Sequence, residues 1–252
     1  MRSGARWACP SAPGQSLVVN CVAYTAVDRA ESEASQAFAV YAEGAGLVAR
    51  SAAARGLPII HLSTDYIYAG TRSGPHREDD PVAPRNIYGA SKAAGDRAVA
   101  AGNPAHVVLH VSWVFGTYGT NFVKTMLRLG QGREELRIVA DQTGGPTEAR
   151  DIADAVLAVA AACRQPEFTA WGIYHFAGTP SISWYGFAQQ IFCHAGGRAP
   201  RLVPIASRDH PLPAIRPPNS VLDCRRIREV FGLAQPDWRR SLSRVLAELE
   251  RL

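Results

Sequence analysis

Tyr88 and Lys92 stand four residues apart in the stretch NIYGASKAAG (86–95), behind a proline-rich loop. On a helix that spacing brings two side chains to one face, about 5–6 Å apart at Cβ. An ammonium held there stabilises a phenolate, and a tyrosine so assisted can give or take a proton. With the charges ~4 Å apart at an effective dielectric of ~20, the interaction is about 4 kcal/mol, or roughly three pK units. This predicts a Tyr88 pKa drawn from ~10 towards neutrality, less whatever desolvation takes back. Taken alone, the pair equally fits an ordinary amphipathic helix, so its neighbours decide. Upstream, HLSTDYIYAG (61–70) puts Ser63 and Thr64 at the end of an apolar run that reads as a strand. Open α/β sheets hold ligands at the C-terminal ends of their strands. A hydroxyl there can hydrogen-bond a substrate carbonyl beside the tyrosine.

The elements that must position these residues alternate. LVVNCVA (17–23), LPIIHLS (57–63), HVVLHVSW (106–113), LRIVAD (136–141) and GIYHFAG (172–178) read as buried strands. Helices are predicted over Asp28 to Arg55, Asn86 to Ala101, NFVKTMLRLG, ARDIADAVLAVAAAC and SWYGFAQQIFCHAG. Strand and helix in turn imply an α/β fold, a Rossmann-like parallel sheet with helices on both faces. Beyond residue 196 the texture becomes rich in proline and arginine, with a last helix from Asp237 to Arg251. The expected division is a nucleotide-binding core over 1–145 and a small C-terminal lobe over 146–252, with 149–178 returning to the core. A G-x-G-x-x-G turn between strand and helix is missing. Gly44-x-Gly46-x-x-Ala49 approaches it, but lies inside a helical stretch and reads as close packing.

Composition narrows the function classes. The 252 residues are 47% hydrophobic and 19% charged, a globular balance. Net charge is +5, and the basic residues are scattered, which suits an anionic small ligand and argues against a nucleic-acid surface. No apolar run approaches a membrane span, and MRSGARWACPSAPGQS lacks the apolar core of a signal peptide, so the cytoplasm is the expected compartment. Cys9, Cys21, Cys163, Cys193 and Cys224 are too dispersed for a disulfide frame or zinc site. His61 and His175 fall inside apolar strands and read as satisfied core residues. Glu78 to Asp80 reads as a solvated loop, and no metal site is expected. Trp113 is open between substrate contact and core packing. Arg216, in AIRPPNS, could clamp a diphosphate with its planar fork or be a solvated loop arginine.

Ser/Thr, Tyr and Lys in that order resemble the catalytic set of short-chain dehydrogenase/reductases. Longer strings are more specific. VNCVAYTAVDRAESE, HLSTDYIYAG, EDDPVAPRNIYGASKAAGD, SWVFGTYGTNFVKTML and DQTGGPTEARDIA, with RPPNSVLDCRRI and PDWRRSL near the end, are together similar to the dTDP-4-dehydrorhamnose reductase family. The resemblance runs from about Val18 to the C-terminus. It implies reduction of the 4-keto group of dTDP-4-dehydro-6-deoxy-L-mannose to dTDP-L-rhamnose by NADPH or NADH, in nucleotide-sugar supply for cell-surface polysaccharide such as lipopolysaccharide O-antigen. By the same resemblance Tyr88 is the proton donor and Lys92 binds the nicotinamide ribose. Thr64 assists at the carbonyl, with Asp65 beside it in the sugar site. Ala23, Tyr24 and Thr25 lie along the cofactor, and Trp113 and Arg216 contact the dTDP-sugar.

Departures from the family pattern are also visible. The family's Gly-rich phosphate loop and first strand have no counterpart, which implies an N-terminally truncated sheet. Tyr41 stands where the family has Asn, implying local repacking. Some members bind Mg²⁺ through glutamates at a dimer interface, and no matching pattern is evident here. The last helix has an apolar face that packs on the lobe or on a second copy in a homodimer. Two classes therefore remain: a reductase, or a non-catalytic remnant that binds a nucleotide-sugar or acts as a regulatory subunit.

Overall fold

Short runs rich in Ile and Val build the strands. They are β1 (Val18–Asn20), β2 (Ile59–Thr64), β3 (His106–Val111), β4 (Glu135–Val139), β5 (Gly172–Phe176) and β6 (Arg201–Ile205). The longer helices are α1 (Ala45–Ala53), α2 (Ile87–Gly102), α3 (Phe122–Gly130), α4 (Ala149–Cys163), α5 (Trp184–Ala195) and α6 (Trp238–Leu249). This computed structural model describes residues 17–22, 26–196 and 199–251. Ala23, Tyr24 and Thr25, expected along the cofactor, lie outside the described residues.

The main sheet is parallel, in the order β1-β2-β3-β5. Side chains alternate across it, so each strand feeds two cores. Ile59 and Val108 meet Ala45, Ala49 and Val99 of α1 and α2 on one face. Ile60, Val107 and Leu109 meet Ile152, Ala155, Val156 and Val159 of α4 on the other. The architecture is thus α/β, a Rossmann-like parallel sheet covered on both faces, with a second lobe attached. That lobe closes around Phe115, Val123, Met126, Ile138, Phe187, Ile191, Trp238 and Leu242. Its core draws on chain from both sides of residue 145, because α3 and β4 pack with α5 and α6. The apolar face of α6 is spent inside this lobe.

Several elements differ from the sequence reading. LRIVAD does not join the main sheet; β4 pairs in parallel with β6, whose strand pattern is masked by Pro204 and the other prolines of that stretch. A two-stranded ribbon exposes edges, and an edge strand tolerates proline. The continuous helix expected from Asp28 to Arg55 is instead broken. Short turns at Val27–Ala30 and Ala34–Phe38 lead into a π-helical turn over Ala39–Gly44, and only then α1. Widened turns of this kind cluster at functional sites, and this one buries Tyr41 at 1% exposure.

Two glycines let α2 lie unusually close to what it covers. A Cβ on Gly89 would collide with the carbonyl oxygen of Tyr66, and one on Gly95 with that of Tyr41. Asn86 starts the helix, its side-chain oxygen accepting from the Gly89 amide at 2.7 Å. These contacts fix the height and rotation of the helix that carries Tyr88 and Lys92. Gly95→Ala is therefore expected to lower unfolding stability by about 2 kcal/mol through overpacking, read in urea or thermal melts. An unchanged midpoint would mean that the helix can withdraw without loss.

Candidate active site

Thr64 ends β2 and caps the 3₁₀ turn that follows, its hydroxyl accepting from the Tyr66 amide at 3.2 Å. Tyr88, in the first turn of α2, comes against this strand end, where the Thr64 hydroxyl is near enough to favour its phenolate. Its ring meets Tyr41 and Tyr66 edge-on, each at 5.7 Å between centroids. The structure thus brings together three residues separated by 24 and 4 positions in sequence (64 to 88, 88 to 92).

Lys92 does not act on Tyr88 as the spacing suggested. Its ammonium donates to the carbonyl of Leu62 at 2.6 Å and lies 4.7 Å from the centre of the Tyr41 ring. Burial dominates the phenol and pushes Tyr88 up to about 12; the Thr64 hydroxyl pulls down, while Asp65 and Asp96 push further up. Lys92 itself is drawn down to about 8 by burial, with Asp96 and Cys21 opposing. The expected lowering towards neutrality is therefore corrected. An i,i+4 pair shares a face, but a long side chain chooses its own partner, and here a strand carbonyl claims it.

Asp65 is fully enclosed by neutral hydroxyls. Thr64 donates to one carboxylate oxygen at 3.0 Å and Ser112 to the other at 2.9 Å. Burial raises its pKa to about 6, against the pull of Ser220, Ser112 and Thr64. Ser220 also accepts from the indole of Trp113 at 3.0 Å. Trp113 is stacked on Trp184, 3.4 Å between centroids, and has φ of +46°. That left-handed backbone is strained for a bulky residue. Trp113 thereby ties strand end, lobe and Asp65 into one connected network.

A cavity of about 990 Å³ opens on the lobe side, between Phe122, Trp184, Gln142, Arg137 and Arg208. Tyr66 and Arg216 form its wall nearest the Tyr88 site. Arg216 is neither loose nor solvated. Its fork holds Asp28 at 2.5 and 2.7 Å, and one arm also reaches the carbonyl of Ala214 at 2.7 Å. Aromatic faces and guanidinium groups around one cavity suit a planar base carrying phosphates.

A family model, the RmlD substrate binding domain, matches residues 10–251. A dTDP-4-dehydrorhamnose reductase of Burkholderia thailandensis is 44% identical over 243 residues, covering 92% of this chain and 82% of that protein. One from Aggregatibacter actinomycetemcomitans is 42% identical over 239 residues, covering 93% and 81%. The chain belongs to the dTDP-4-dehydrorhamnose reductase family. A crystal structure of the family's Bacillus anthracis member in complex with NADP aligns with a TM-score of 0.85 at 36% identity, covering 92% of this chain and 80% of that one.

Within this family frame, the sequence reading overlooked residues that the fold delivers to the site. Tyr66 follows Thr64 by two and Ser112 precedes Trp113, so adjacency to a chosen residue was the available signal. Ser220 and Trp184 gave none. Asp96 had one, the next i+4 step after Lys92. The two strand histidines are only half satisfied. His61 Nδ1 meets the Asn20 amide at 3.0 Å and His175 Nε2 the Tyr68 hydroxyl at 2.8 Å, while the other ring nitrogens make no hydrogen bond among the described residues. The acidic run is not merely solvated either. Glu78 accepts from the His175 amide at 3.2 Å and Asp80 pairs with Arg72 at 2.6 Å.

His61 makes stability pH-dependent. Burial, with Lys92 adding to it, pushes the ring from 6.5 down to about 4. An unfolded imidazole takes up a proton that the native one refuses, so this contribution is intact above pH ~6.5 and lost as pH falls towards 4. At 1.36 kcal/mol per unit the loss is about 3 kcal/mol. Unfolding free energies measured across that window should fall with acid, and His61→Gln should flatten the fall. An equal slope in the variant would remove His61 as the cause.

Proposed function

We propose that the chain reduces the 4-keto group of dTDP-4-dehydrorhamnose to give dTDP-L-rhamnose, with NAD(P)H as the reductant. The observation that carries this reading is the meeting of Thr64 and Tyr88 at the C-terminal end of β2, beside the aromatic and arginine-lined cavity. The family membership supports reduction over a non-catalytic binding role.

The residues present fit a nicotinamide cofactor. Lys92 has three donors and gives one to Leu62, at the end of the sheet where dinucleotides bind. When bound, NAD(P)H supplies the hydride. The protein supplies placement and the proton. Reduction requires a Tyr88 that starts protonated, and burial holds it so throughout the neutral range. Tyr88 gives its proton to the oxygen that becomes the C4 hydroxyl, and the neighbouring Thr64 steadies the same oxygen by turning its one hydroxyl proton to it. Until then Asp65 accepts that proton and keeps the hydroxyl in place. Arg216 and Trp113 border the path to the cavity, where the dTDP moiety is held. Arg216 acts there from its Asp28 anchor, and Trp113 through its stack on Trp184. The chain thereby serves nucleotide-sugar supply for polysaccharide.

Tyr88→Phe removes the proton and leaves the ring. Turnover of NADPH with the 4-keto sugar should drop about 100-fold or more, while NADPH affinity, followed by ligand fluorescence, stays as in the unaltered chain. Undiminished turnover would take the proton-donor role from Tyr88. NADPH consumption that does not depend on the sugar would refute the reading as a whole.

A further inference from the structure

Beneath the site, the α2-facing side of the sheet changes character. Where Val18, Ile59 and Val108 are apolar, the next turns of the pleat present Asn20, His61, Ser63, His110 and His175, all buried. Register sets Asn20 beside His61, Ser63 beside His110, and His110 beside His175. Asp96 of α2 comes down onto this row. Its carboxylate lies 3.1 Å from His110 Nε2 and 3.7 Å from His61 Nε2.

Asp96 is one helical turn beyond Lys92, and both are buried, at 7% and 3% exposure. Among the described residues, the partners that Lys92 touches are neutral, the Leu62 carbonyl and the Tyr41 ring. A buried ammonium among neutral groups tends to shed its proton. We propose that Asp96 is the positioning residue for Lys92: anchored by His110 and flanked by His61, its carboxylate keeps the lysine an ammonium, and so keeps its bond to Leu62 charge-assisted and strong beneath Tyr88.

The surrounding groups support this assignment. Among the described residues, those acting on the charge of Lys92 are Asp96 and Cys21, and Lys92 in turn acts on His61. Those facing Asp96 are His110, His61 and Ser63, with Tyr68 and Tyr88 feeling its charge. Burial opposes ionisation of Asp96, but His110, His61 and Ser63 together hold it below the ordinary carboxylate range. His61, pushed to about 4, stays neutral and does not compete for that charge near neutral pH. Partial covering of the Cys21 sulfur raises its pKa, against the pull of Lys92, so it is a thiol there. Asp96 is left as the standing negative charge. The catalytic consequence rests on the reductase reading; the charge state of Lys92 does not.

The sequence offers a direct probe, since Lys92 and Lys124 are its two lysines. A chain labelled with ¹³C at lysine Cε gives two titrating signals, which Lys124→Arg assigns. Lys92 is expected to titrate near 8. Asp96→Asn, nearly isosteric, should lower that midpoint by about one unit and leave Lys124 unmoved, and Asp96→Glu should recover part of the shift. His110→Asn, which withdraws the carboxylate's anchor, should move Lys92 in the same direction and serves if Asp96→Asn does not fold. A folded Asp96→Asn or His110→Asn chain with an unmoved Lys92 midpoint overturns the proposal. In turnover, the alkaline limb of the kcat profile should move down with the lysine while KM for the sugar holds. If the unaltered chain consumes no NADPH, the reductase reading fails by itself, and the lysine titration still decides the role of Asp96.

Discussion

Everything around the site depends on burying one ammonium. Lys92 can be enclosed only because α2 lies close enough to the sheet for its Nζ to reach a strand carbonyl. That approach needs a bare backbone at Gly89 and Gly95, where the helix meets the carbonyls of Tyr66 and Tyr41. The widened turn over Ala39–Gly44 belongs to the same constraint, because it offers both the carbonyl that Gly95 touches and the ring that covers the ammonium. Lift the helix and the phenol, the lysine and the carboxylate behind it all lose their partners together.

Two aspartates show how strongly surroundings decide charge. Asp65 and Asp96 are both buried and both hydrogen-bonded. Asp65 is surrounded by neutral hydroxyls and is driven up to about 6. Asp96 is surrounded by histidines and is held down. The first suits a fixed acceptor that orients Thr64. The second supplies the charge that a buried lysine requires. Both carboxylates accept hydrogen bonds; what separates them is whether the surrounding groups favour the ionised form by more than burial disfavours it.

The lobe is attached to the core by a strap at residues 214–216. Asp28 accepts from the Ala214 amide at 3.2 Å and from the Arg216 fork, and the Asn86 side chain donates to the Ile215 carbonyl at 2.7 Å. Asn86 is also the cap of α2, so one residue both starts the helix that carries Tyr88 and holds the wall of the cavity. The Trp113–Trp184 stack makes a second connection, from strand end to lobe. Catalytic edge and cavity are thereby held at a set distance.

What the sequence determined by itself was local and periodic. Apolar runs marked β1, β2, β3 and β5, helical stretches opening at Asn86 and Asp237 marked α2 and α6, and the order of Thr64, Tyr88 and Lys92 marked a candidate site. These signals are carried by neighbours in the chain. The pairing of β4 with β6, the break at Tyr41, the Arg216–Asp28 pair and the histidine row under Asp96 were decided only in three dimensions. Each joins residues far apart in sequence, and nothing in either local stretch encodes the distance between them. The protonation of Tyr88 belongs to the same class. Spacing placed Lys92 beside it, but burial and the Leu62 carbonyl, both products of the packed fold, decided where the charge went.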